Sequence, residues 1–159
     1  MPVSIVSESP VVRIGTIDSL LVSVWHDSST LEALEQLARA QQALIDAHKS
    51  VSVLMVFTGA PKNAPPGVKE RGDELAQRFK SHVRANVVLV LARGFSGIVV
   101  RTFLAAFSLV NPIPMESAST LEDAVKKLQS ANGQTAELRG NVHLIEELRA
   151  FIEVPAPRI

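Results

Sequence analysis

Two runs of the chain, "VSVLMVF" (51–57) and "NVVLVLA" (86–92), are almost wholly apolar and show no alternation. A strand with one wet face alternates apolar and polar residues, so a run apolar on both faces belongs inside a covered sheet. Between the two lies "VKERGDELAQRFKSHV" (68–83), where Val68, Leu75, Ala76, Phe79 and Val83 share one helical face and charges take the other. Gly72 weakens that helix by about 1 kcal/mol relative to alanine. Strand, amphipathic helix and strand in succession require a parallel crossover, which puts the chain in the α/β class.

The flanking segments extend the pattern. "VVRIGTID" (11–18) and "LLVSVWHD" (20–27) are short β-prone runs joined tightly at Asp18–Ser19, as in an antiparallel hairpin. In the second run Leu21, Ser23 and Trp25 alternate with Val22, Val24 and His26. A helix is expected over 29–48, opened by a capping box of Ser29 and Glu32, with Leu31, Leu34, Leu37, Ala38, Leu44 and Ile45 near one stripe. The same STLE tetrapeptide recurs at 119–122, where Ser119 and Glu122 open a helix over 119–132. Its neighbours do not repeat, so the recurrence is capping chemistry and not duplication. A third helix is expected over 95–111, ended by Pro112 and Pro114. After the polar stretch "GQTAELRG" (133–140), Leu144, Ile145, Leu148, Phe151 and Ile152 form an amphipathic stripe in 141–159. The expected order is β-β-α-β-α-β-α-(β)-α.

Charge and composition narrow the chemistry. Sixteen basic residues balance sixteen acidic ones and no long basic run occurs. Phosphate neutralisation supplies most nucleic-acid affinity, so no nucleic-acid partner is expected. Trp25 is the one tryptophan and tyrosine is absent, which leaves little to stack on bases. No cysteine is present, which removes disulfides, thiolate nucleophiles and cysteine-based metal sites. His26, His48, His82 and His143 are scattered without metal-ligand spacing, and no cofactor motif appears. The opening "MPVSIVSESP" lacks the pattern of a secretory signal, and no apolar run is long enough to span a bilayer. A cytoplasmic protein is the expectation.

Three stretches are candidates for function. The turn "FTGAPKNAPPG" (57–67) follows an interior strand, where open α/β sheets tend to bind their ligands. Thr58, Gly59 and Lys62 are its candidate switch or ligand residues, against the plainer reading of a turn or capping threonine. "ARGFSGIVVR" (92–101) runs from strand through a glycine turn into a helix, and Arg93 and Arg101 flank backbone donors able to hold an anion. Its G-x-x-G is not a nucleotide fingerprint, and a tight β-to-α turn is the favoured reading. The helix it opens carries Phe95, Val99, Phe103 and Phe107 among other apolar residues, with Arg101 as its only charge. A helix apolar nearly all round is covered on more than one side. An ordinary core, a second subunit or partner, and an apolar ligand are the open alternatives for its second cover.

The element order, the turn at 57–67 and the stretch at 92–101 resemble the STAS domain, the family of anti-sigma-factor antagonists and sulfate-transporter tails. The similarity is greatest to bacterial STAS-like members of no assigned function, and it spans roughly residues 11–130. It implies a sheet of 4–5 strands packed with helices, here with a C-terminal helix added. In the antagonists the turn after the third strand carries Asp-Ser-Ser or Asp-Ser-Thr and a glycine, and its hydroxyl is phosphorylated to switch partner binding. The matching place keeps Thr58 and Gly59 but lacks the acid and the following serine. The triplet "DSS" at 27–29 has the right letters one strand too early; there Ser29 suits a helix cap and Asp27 an acid at the helix dipole.

The division expected is an N-terminal extension (1–10), a STAS-like domain (11–132) and a helical appendage (133–159). The resemblance implies a non-enzymatic regulatory or interaction module that binds itself as a homodimer, or a protein partner. Some relatives are linked to CRAL-TRIO lipid-transfer domains, so a carrier of an apolar ligand is the alternative.

Overall fold

The computed structural model describes residues 2–58, 65–91, 113–155 and 157. Among these, six strands form one sheet in the order of the chain: β1 (Ser4–Glu8), β2 (Val12–Ile17), β3 (Leu20–Trp25), β4 (Val51–Phe57), β5 (Val83–Val90) and β6 (Glu116–Ala118). The first two pairings are antiparallel and the last three parallel. The α/β class is therefore as expected. The strand number is not: six replace 4–5, and the unforeseen one is β1. Its sequence SIVSE has no buried face to announce it, and a bulge between Ile5 and Ser7 interrupts its alternation.

Helices α1 (Leu31–His48) and α2 (Val68–Phe79) are the crossovers from β3 to β4 and from β4 to β5. Both lie on one face, as a single crossover hand demands when the strand order advances in one direction. There Leu44, Ile45, Leu75 and Phe79 pack on Val12, Ile14, Leu21, Trp25 and Val53. Among the described residues three helices cover the other face: α3 (Leu121–Gln129), the single turn α4 (Ala136–Arg139) and α5 (Leu144–Glu153). They bring Val125, Leu128, Leu138, Leu144, Leu148 and Phe151 onto Leu20, Val22, Leu54, Val56, Val87 and Leu89. β4 supplies both cores, because Leu54 and Val56 face one way and Val53 the other. That is the physical content of its unbroken apolar run.

Several boundaries shift. Helix α2 stops at Phe79, a short 3₁₀ turn covers Lys80–His82, and Val83 already belongs to β5. Both STLE helices are capped one residue later than expected, since Thr30 accepts from the Ala33 N–H and Thr120 from the Asp123 N–H. Ser29 and Ser119 stand just outside. In S-T-L-E either hydroxyl can cap; burial of the following stripe selects the register. The polar stretch 133–140 is not loose, for Gln134 and Leu138 are buried and Leu138 joins the core. The helix expected over 95–111 lies outside the described residues.

Candidate functional site

The parallel strands end on one side of the sheet, and Thr58, the one sequence candidate among the described residues, lies there. Thr58 follows the last residue of β4 and is exposed. Its N–H and its hydroxyl both donate to the Trp25 carbonyl, at 3.2 Å and 2.9 Å. The parallel ladder between β3 and β4 thus continues one residue past the strand, with the hydroxyl as an added tie. Beside it the Leu91 N–H donates to the Phe57 carbonyl at 2.8 Å. Trp25 itself is buried, and its indole N–H donates to Ser23 Oγ at 3.0 Å, so it offers no stacking platform.

The β3-to-α1 connection forms the neighbouring wall. Asp27 Oδ1 accepts from the Ser28 N–H at 2.7 Å, a local turn contact. Ser29 Oγ is buried and has no hydrogen-bond partner among the described residues. His26 continues the antiparallel pairing, its N–H donating to the Val11 carbonyl at 2.8 Å. By alternation its ring lies on the face of Val22 and Val24, and its Nε2 is likewise buried without a partner among the described residues. Burial, and next the Arg13 cation, hold the imidazole below its usual pKa, while Glu8 opposes them.

That face carries a feature sequence reasoning missed. Arg13, the second residue of β2, is fully buried. Its Nε and Nη2 donate to Glu8 Oε1 at 3.0 Å and 2.8 Å. Its Nη1 donates to the carbonyls of Val154 at 2.8 Å and Phe151 at 3.4 Å, and Nη2 reaches the Pro155 carbonyl at 2.7 Å. The guanidinium also sits 5.8 Å from the centre of the Phe151 ring. Five donors find acceptors, which is the condition for holding a cation away from water. The signal was present, since Arg13 shares the inward face of β2 with Gly15 and Ile17. Three of its acceptors were not legible, because they are main-chain carbonyls some 140 residues away.

Gly15 completes this arrangement. A Cβ there would stand 2.7 Å from both Phe151 Cε2 and Val3 Cγ1, so the aromatic ring rests directly on bare backbone.

Of the other site candidates, Gly59, Lys62, Arg93, Phe95, Val99, Arg101, Phe103 and Phe107 lie outside the described residues. Among the described residues no three histidine, aspartate or glutamate side chains are grouped to hold a metal ion, and no helix is long and apolar enough to cross a membrane. His48 and His82 stand at or just past helix ends as expected, and His82 Nδ1 lies 3.4 Å from the Lys49 carbonyl. Compared with protein-family models, curated proteins and solved structures, the chain finds no match in any of the three.

Proposed function

We propose that the chain is a non-enzymatic regulatory or protein-interaction module of STAS-like type, acting through the edge where β3 and β4 end, with Thr58 as its switch. The supporting observation is the exposed Thr58 hydroxyl, whose hydrogen is committed to the Trp25 carbonyl at 2.9 Å. Esterification by phosphate consumes that hydrogen and adds a charge of about −1.5 to −2. The same event removes the hydroxyl tie between the ends of β3 and β4, leaving the Thr58 N–H on the Trp25 carbonyl, and makes the surface there more negative. A switch needs both a structural and an electrostatic consequence at one atom, and Thr58 supplies them. The partner is a second copy of the chain or another protein.

Native mass spectrometry of the purified protein, beside Thr58→Val and Thr58→Glu, tests this reading. The wild type and Thr58→Val are expected to associate and Thr58→Glu to lose association. A protein that stays monomeric, or associates identically in all three forms, removes Thr58 from the role. A monomer that retains a non-covalent small mass points instead to a carrier of an apolar ligand.

A further inference from the structure

The segment after α5 is fastened in an unusual way. Once the helix ends at Glu153, the backbone at Val154 turns extended, and the Val154 side chain is 44% exposed. What holds Val154 and Pro155 to the sheet is therefore their carbonyl groups, and both accept from one side chain, Arg13. An apolar contact releases only when it is wetted. A polar tether to one buried cation responds to any charge placed beside it.

His26 is positioned to place such a charge. Arg13 pairs across the hairpin with Val24, and His26, one residue past the end of β3, lies on the same face by alternation. The charged groups acting on its ring are Arg13 from β2 and Glu8 from β1. Protonated, His26 would set a second cation near the guanidinium and leave a buried Nε2–H with no acceptor among the described residues. It would also compete for Glu8, whose Oε1 already accepts twice from Arg13.

We propose that Glu8, Arg13 and His26 form a pH-sensitive latch: protonation of His26 loosens the hold of Arg13 on Val154 and Pro155 and frees the C-terminal segment while the sheet stays folded. The direction follows from which state binds the proton more readily. The latched state disfavours imidazolium and takes up the proton only below the ordinary value near 6.5, so a released state with a freer ring binds it more readily. The latch is at full strength above that value and weakens as pH falls through it. This inference does not depend on the reading of Thr58.

Hydrogen exchange of the full chain at about pH 7.5 and about pH 5.5, corrected for intrinsic rates, tests it across the range where histidine titrates. The expected result is a loss of protection at the amides of residues 151–154 on acidification, with β4 and β5 unchanged. His26→Gln, which cannot titrate, is expected to abolish that response. A flat wild-type profile, a response that survives in His26→Gln, or loss of protection throughout the sheet would each overturn the latch. Should His26→Gln fail to fold, an NMR titration of the wild type decides. One shared midpoint for the His26 ring and the Val154 amide supports the latch, and separate midpoints refute it.

Discussion

The two faces of the sheet are covered by helices held in different ways. On one face α1 and α2 are crossovers, tied at both ends to paired strands, and their contact is apolar inside and ionic outside. Arg71 of α2 reaches Glu35 of α1 at 2.6 Å and Glu74 at 2.9 Å on the surface. On the other face α3, α4 and α5 follow β6, and among the described residues no later strand fixes where they lie. Long-range polar anchors, buried or half-buried, hold them. Arg13 holds the end of α5, and the Gln134 side-chain amide donates to Ser52 Oγ at 2.9 Å and to the Leu128 carbonyl at 2.7 Å. Ser19 and Thr135 hydroxyls meet at 3.1 Å, and the Gln129 amide binds the carbonyls of Leu138 and Asn141 at 3.1 Å and 2.8 Å. Chain connectivity positions a crossover helix, whereas a helix tethered at one end needs specific contacts to choose one site over its neighbours.

Substitutions can break this contrast. The largest effect is expected for Arg13→Met, which keeps most of the volume but strips three carbonyls and Glu8 of their donor. A loss of about 3 kcal/mol is expected by denaturant unfolding, the scale of breaking a buried ion pair. A loss near zero would mean that apolar packing alone holds α5. Next comes Gly15→Ala, whose methyl meets Phe151 and Val3 at a distance that real Cβ atoms do not tolerate. Overpacking of this kind costs about 1–3 kcal/mol, and Phe151→Leu in the same chain is expected to recover part of it. Strict additivity of the two changes would show that the ring does not rest on Gly15. The smallest effect belongs to the opposite face. Glu35→Gln removes the exposed partner whose hydrogen bond with Arg71 lowers the Glu35 pKa, yet Tm is expected to stay where it was, because exposed pairs are screened by water. A clear drop in Tm would mean that α1 and α2 also depend on a polar anchor.

How legible each part was follows the same division. The run 51–57 is β4 to the residue, since a strand buried on both faces writes its burial at every position. The hairpin was legible from its alternation and its Asp18 turn, where φ is +52°. The caps were legible as chemistry but off by one in register. β1 was missed because an edge strand with exposed side chains has no apolar periodicity to display. At the candidate edge, Thr58 was singled out from its place after an interior strand, and that place is where the structure puts it. Arg13 and Gly15 were passed over because their meaning depends on residues far along the chain.

The sequence by itself determined the α/β class, the interior strands, the amphipathic helices and the edge where the parallel strands end. These follow from local periodicity and from chirality, which act over a few residues. Only the tertiary structure decided that β1 extends the sheet, that 133–140 enters the core and that Arg13 joins the two ends of the chain. Those outcomes rest on buried polar groups finding partners at long range, and such a partner becomes identifiable only when the chain has closed around it.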